Sequence, residues 1–264
     1  MKQISLQYQL LGFKYNISTS LPESWSELTP KQLIAVAKNH SVDANETLLL
    51  AALLGIKEKH ARRMDDYQRF CIARELKFMQ DFKPMYSFII RAIKGLSAPR
   101  PRLEGMSFGQ FMYVDTYHEV AVMADDPAKL NKFVACLYLP DGESSNLYRP
   151  DNNDVSFNEK LIQDRADHVA LFLLPEEKTA ISLNYRLVKE WICKQYPLLF
   201  QVPPQDRQDN EQTHSTEKKR GSDWVKVYES LVGEDIVNQQ KYAELPVHTV
   251  FRFLTQKLKE NARR

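Results

Sequence analysis

Polar and apolar residues alternate through the first part of the chain: Ile4, Leu6, Tyr8 and Leu10 share one side of an extended strand, and Phe13, Tyr15 and Ile17 resume the alternation after Leu11-Gly12. A period of two predicts a β-hairpin. Such a hairpin is marginal alone, so its apolar face must lie on the helices that follow or on a partner's sheet edge, and the pattern leaves both open.

From LPESWSELTPKQL, Leu21 to Leu33, the period lengthens to that of a helix. Thr29 can cap the helix, Pro30 suits its first position because the missing N–H would be unpaired there anyway, and Gln32 can reach back to complete a capping box. Trp25, just ahead of the cap, is expected to pack the hairpin onto the first helical pair. Leu33, Val36 and Ala37 recur at helical spacing, and Asn45 restarts a second helix that ends near Gly55. Ala61 to Phe82 contains no Gly or Pro and places Tyr67, Phe70, Cys71, Arg74 and Phe78 along one stripe, which predicts a long amphipathic helix. Another helix is predicted from Met85 to Ile93, and SAPRPR, Ser97 to Arg102, reads as a connector.

MSFGQF, Met106 to Phe111, then repeats the opening signal, with Ser107 and Gln110 in the places of Thr29 and Gln32. In each case a short helix, a polar break and a second apolar helix follow. This pattern allows an internal repeat of 28–96 and 106–200; convergence of helical hairpins on the same start signals is the other explanation. Pro140 to Phe157 is turn-rich and reads as a surface loop. Helices resume over Leu161 to Leu174 and over Thr179 to Tyr196, where Ile181, Tyr185, Val188, Ile192 and Tyr196 form a stripe suited to a central packing helix.

Between Val202 and Trp224 there is no large apolar residue, so the backbone there has nothing to offset its entropy of ordering. The prediction is a main body over 1–202, a disordered linker over 203–223 and a detachable C-terminal helical unit over 224–264. The fold class is mainly α, a bundle of helical hairpins with an N-terminal β-hairpin. In the C-terminal unit Val247, Val250, Phe251, Leu254 and Leu258 share one helical face. Together with Trp224 they are the candidate partner-binding residues, because an amphipathic helix beyond a linker can be offered to a groove.

Composition narrows this only a little. With 36 Lys and Arg against 34 Asp and Glu, no field of one sign covers the protein, which argues against a nucleic-acid coat. Eight Gly are few for phosphate-cradling loops or a many-stranded sandwich. Cys71, Cys136 and Cys193 are isolated and odd in number, so neither a disulfide framework nor a CxxC site is suggested, and a reducing cytoplasm fits. The amino terminus lacks the apolar core of a signal peptide, and LLLAALLGI is too short to span a bilayer. The expectation is a cytoplasmic protein in a bacterial host cell, with no membrane partner.

Candidate chemistry is sparse. Asp164 and His168 stand at i and i+4, and Asp115 and His118 at i and i+3, but no third ligand is placed, so neither pair makes a metal site. DNNDVSFNE, Asp151 to Glu159, lacks the glycine and the ligand spacing of a calcium loop. No GxSxG elbow is present, and a nucleophile whose partners meet only in the fold stays open. The basic cluster KEKHARR, with Lys57, Lys59, Arg62 and Arg63, could hold phosphates, but acidic residues follow directly and no aromatic interleaves for base stacking. No catalytic, metal or cofactor residue is therefore assigned.

Three stretches carry a resemblance: the hairpin with LPESWSELTPKQL, then LNYRLVKEWICKQYPLLF, then GSDWVKVYESLVGEDIVNQQKYAELPVHTVFRFL. They resemble an uncharacterised family encoded in phage and prophage regions of gut bacteria, similar to phage tail assembly chaperones. The resemblance covers most of the chain as a pattern of hydrophobic and tryptophan positions. It implies a non-enzymatic protein-binding factor that holds a tape-measure or other tail protein until assembly displaces it. Tail chaperones are often shorter, which leaves a virion structural or connector protein as the alternative; a metal-dependent hydrolase using Asp164 and His168, or a nucleic-acid-binding protein, stands further back. Oligomeric state is not set by the sequence.

Overall fold

The computed structural model describes residues 1–10, 13–40, 45–140, 158–200 and 224–262. The predicted linker and the loop predicted over Pro140 to Phe157 lie almost wholly outside them. The fold is mainly α, as the hydrophobic periods predict, and the N-terminal hairpin is present. Strands β1, Lys2–Leu10, and β2, Phe13–Leu21, pair antiparallel from Lys2 opposite Leu21 to Leu10 opposite Phe13. Their apolar side lies on the helices: Leu6 and Leu21 are buried and Ile4 and Ile17 pack against the core.

Thr29 and Gln32 form the complete capping box at the start of α1, Pro30–Asn39. The Gln32 side chain also donates through Nε2 to the carbonyl of Leu53, 2.8 Å away, near the end of α2, Glu46–Leu54. A second helical pair, α5, Phe108–Ala124, and α6, Pro127–Leu137, is stitched in the same way: Gln110 Nε2 donates to the Cys136 carbonyl at 2.8 Å. The inward positions correspond too, Gln32, Leu33, Val36 and Ala37 in one pair and Gln110, Phe111, Val114 and Asp115 in the other. At Ser107 the hydroxyl accepts from the Gln110 amide, while the neighbouring backbone pairs with the C-terminal segment.

The long helix predicted over Ala61 to Phe82 is not formed. A short α3, Glu58–Ala61, precedes α4, Asp66–Glu75, and a 3-10 segment, Leu76–Gln80. The cause is local: the Asp65 carboxylate accepts from the Gln68 amide at 2.7 Å and starts a new helix in a new phase. The expected stripe is therefore split: Tyr67, 75% exposed, and Phe70, 64% exposed, turn outward, while Phe78 is buried and faces the core with Ala61, Met64 and Ile72. Trp25 is buried against this segment, stacked on Phe82, edge-on to Phe78, and donating from Nε1 to the Asp81 carbonyl at 2.9 Å.

The helix predicted over Met85 to Ile93 is likewise absent. The stretch runs toward the short strand β3, Ala92–Ile93, which pairs with β4, Leu96–Ser97, and through it with β5, Leu139–Pro140. Its amides find partners outside itself, so tertiary contacts override helix propensity. Asn184 is buried and its Oδ1 accepts from Ile89 N at 2.8 Å and Ile90 N at 3.2 Å, while Met85 N donates to the Leu187 carbonyl at 3.0 Å.

Asn184 and Leu187 belong to the central helix. After α7, Ile162–Phe172, comes α8, Pro175–Gln195, and its predicted stripe is the inward one: Ile181, Tyr185, Val188 and Ile192 are fully buried. Helix α8 packs against α1 on one side and α6 on another. The C-terminal unit comprises α9, Trp224–Val232, α10, Gln239–Glu244, and α11, Val247–Asn261. All three touch α5. Phe108 N donates to the Leu245 carbonyl at 2.8 Å and Val247 N to the Met106 carbonyl at 3.0 Å, an antiparallel bridge between Ser107 and Pro246. Gly109 permits this approach, because a Cβ there would stand 3.1 Å from the Ala243 methyl. Among the described residues no helix is long and apolar enough to cross a membrane.

Candidate functional site: a buried polar junction and the apolar row beyond it

Beyond Gln110, the inward side of helix α5 is apolar except at Asp115 and His118, with Glu119 beside them. Facing these from α8 are Ser182, Tyr185 and Lys189. Asp115 is fully buried, yet its carboxylate is satisfied three times: the Tyr185 hydroxyl donates to Oδ1 at 2.8 Å, Lys189 Nζ stands 2.7 Å from the same oxygen, and Trp224 Nε1 donates to Oδ2 at 2.7 Å. Lys189 is shared with Glu119 at 2.9 Å. Burial pulls the lysine pKa down, but Asp115 and Glu119 outweigh it and hold it above the ordinary value. Burial first, and then the Asp115 charge, push the Tyr185 hydroxyl well above the usual tyrosine range. The junction thus keeps the lysine in its charged form and the phenol neutral.

Trp224 is the contribution of the C-terminal unit to this cluster, and the rings around it extend the contact. Its indole meets Phe111 edge-on at 5.1 Å, Phe200 at 5.7 Å and Phe251 in a stacked pair at 5.7 Å. Phe251 also meets Phe111 at 5.0 Å and Tyr196 at 5.1 Å.

His118 and Ser182 form a histidine–hydroxyl pair, Nε2 to Oγ 3.0 Å. A hydrolytic triad would place a carboxylate on the other ring nitrogen, but Asp115 is taken up by Tyr185, Lys189 and Trp224. Burial, followed by the nearby Lys189 charge, lowers the His118 pKa to about 4, which makes it a weak base. Burial also pushes the Cys136 thiol up to about 12 and the Cys193 thiol to about 11, away from thiolate reactivity.

The remaining residues singled out in the sequence are not brought together. Asp164 and His168 lie on the exposed side of α7, with His168 against the Phe172 ring at 4.4 Å. Among the described residues no group of three or more metal-ligating side chains forms. In the basic cluster Arg62 is paired with Glu58 and Arg63 lies over the Tyr8 ring, while Lys57 and Lys59 are exposed. Residues 151–157 of the acidic stretch lie outside the described residues.

The candidate partner-binding residues divide in two. Trp224, Val247, Val250 and Phe251 are buried in the chain's own core, so offering them to a partner requires the unit to come away from α5. Leu254 is half-buried and Leu258 is 43% exposed. The apolar row of α11 therefore outruns the body that supports it: from Gln256 to Ala262 every residue is exposed. The polar junction itself escaped the sequence reading. Its signal was Asp115, His118 and Glu119 at i, i+3 and i+4 within a helix that has no other acidic, basic or histidine residue. No protein-family model matches the chain, and neither a curated protein nor a solved structure does.

Proposed function

We propose that this chain is a non-enzymatic protein-binding factor of the phage tail-assembly kind, which holds a long helical client of the tape-measure type along the outer part of α11. The observation that carries the reading is the row Val247, Val250, Phe251, Leu254 and Leu258. Its first three members dock the helix on the body, Leu254 is half-buried at the margin of the core, and Leu258 continues the same face into solvent. A helix held rigidly at one end and apolar at the other can receive a second amphipathic helix at i and i+4 anchors. Phe253, 48% exposed, and Lys257, over its ring at 5.4 Å, flank the row and would add a charged rim suited to an acidic client face.

The test is co-expression with a tape-measure-like client, followed by purification of the chain. The wild type is expected to retain the client, and the double substitution Phe253→Asp and Leu258→Asp, both at exposed positions, is expected to lose it without changing helical content or melting temperature. Retention by the double variant would remove α11 as the binding face. Failure of the wild type to hold any such client would remove the chaperone reading altogether.

A further inference from the structure

The basic cluster Lys57 to Arg63 contains no aromatic residue of its own, and as a sequence it lacks the rings on which bases stack. The fold supplies those rings from the hairpin. Tyr8 of β1 stands opposite Tyr15 of β2, and the two rings are nearly parallel, 10° apart with centroids at 5.2 Å. Helix α3 brings the cluster against this pair: the Tyr8 hydroxyl is hydrogen-bonded to His60 Nδ1, and the Arg63 guanidinium lies over the Tyr8 ring, 5.6 Å from its centroid. Tyr15 is 41% exposed, and Phe13, the next residue on the same side of β2, is 69% exposed. Among the described residues the Tyr15 ring meets no ring but that of Tyr8.

The charge beside these rings is of one sign. Arg62 is met by Glu58, but among the described residues no carboxylate pairs with Lys57, Lys59 or Arg63, and all three are exposed. Burial, followed by the charges of Lys59, Arg63 and Lys57, holds His60 below the ordinary histidine pKa, and no acidic group offsets them there. Asp65, the nearest acid to follow in the chain, is bound to the Gln68 amide at the start of α4.

We infer that this patch binds single-stranded nucleic acid, with phosphates on Lys57, Lys59 and Arg63 and bases laid on Tyr15 and Phe13. Unpaired cations next to exposed rings are what such a strand requires, since its backbone takes the charges and its bases take the ring faces. The spacing selects a single strand over a duplex. Phe13 and Tyr15 are two strand residues apart, about 7 Å, roughly twice the rise per nucleotide of a stacked strand, so bases on both rings must be unstacked from each other. An acidic peptide would engage the lysines and leave the rings idle, and a lipid surface has no use for a flat, parallel ring pair. Contacts to phosphates and ring faces carry little sequence preference.

The experiment follows fluorescence anisotropy of a labelled oligothymidylate of about twelve nucleotides, with the full chain, Lys57→Gln/Lys59→Gln and Phe13→Ala, all changed at exposed positions. Competition with unlabelled duplex of equal length and co-sedimentation with phosphatidylserine-containing vesicles complete it. The wild type is expected to bind the oligonucleotide with log K falling against log salt at a slope of roughly −2, as three phosphate contacts imply. The lysine variant should bind at least about tenfold more weakly with a shallower slope. Phe13→Ala should bind at least about fivefold more weakly with the slope unchanged, because it removes a stacking face and no charge. Circular dichroism and melting temperature should be those of the wild type in both. A wild type that does not bind the oligonucleotide, either variant binding as the wild type does, or a duplex that competes better than the single strand would each overturn the inference. Vesicle binding without oligonucleotide binding would overturn it in favour of a lipid surface.

Discussion

Asp115 is the residue on which the packing of three helices converges, because a buried carboxylate is tolerable only while its donors are in place. Asp115→Ala should destabilise the protein by roughly 3–5 kcal/mol, as it leaves Lys189, Tyr185 and Trp224 without their common acceptor. Chemical denaturation should show Asp115→Asn to be milder, since the amide oxygen still accepts. His118 gives the junction a pH dependence of definite sign. With a folded pKa of about 4 against ~6.5 unfolded, the unfolded chain alone takes up a proton between those values, so stability is complete above ~6.5 and is lost as pH falls toward 4. At pH 5 the loss is roughly 2 kcal/mol relative to pH 7. Unfolding free energies of wild type and His118→Phe at both pH values should show the loss in the first and not in the second. The oddity of Asp115 and His118 in an apolar helix was legible in the sequence. Their partners, 70 and 109 residues away for Asp115, were not, since nothing local marks Tyr185 or Trp224 as facing that helix.

Among the elements, those whose partners are their own neighbours were the legible ones: the hairpin, the capped α1, the α1–α2 and α5–α6 pairs, and the stripe of α8. Each is specified by periodicity and a start signal within about twenty residues. The two failures have the opposite character. Asp65 breaks a run that contains neither Gly nor Pro, and Met85 to Ile93 stays extended because Asn184, on a distant helix, accepts its amides. The second case is testable. Asn184→Leu leaves the amides of Ile89 and Ile90 buried and unpaired, for which the expected cost is roughly 2–4 kcal/mol. Hydrogen exchange at those two amides should accelerate well before exchange in α8 does.

For the molecule as a whole, the C-terminal unit was recognisable in the sequence as a block of helices, but the way it seats was hidden. The antiparallel bridge from Ser107 to Pro246, the clearance over Gly109 and the indole on Asp115 all join segments far apart in the chain. Trp224→Ala should cost roughly 3–5 kcal/mol, the usual range for a buried large ring. It should also make α9 to α11 the first part cut in limited proteolysis, with the cut rate of the remaining body rising less. Wild type and variant cut alike would mean that the other ring contacts seat the unit without the indole.

The bond between Trp224 and Asp115 also orders events in time. During synthesis the carboxylate leaves the ribosome 109 residues before the indole that completes its environment. At ordinary elongation rates that is an interval of roughly 5–20 s. Helices α5 and α8 can meet in that interval, but the junction between them stays open on one side until the last helices arrive. A chain whose translation stops early therefore carries an unfinished core, open to proteases, and only a chain translated past Trp224 closes it.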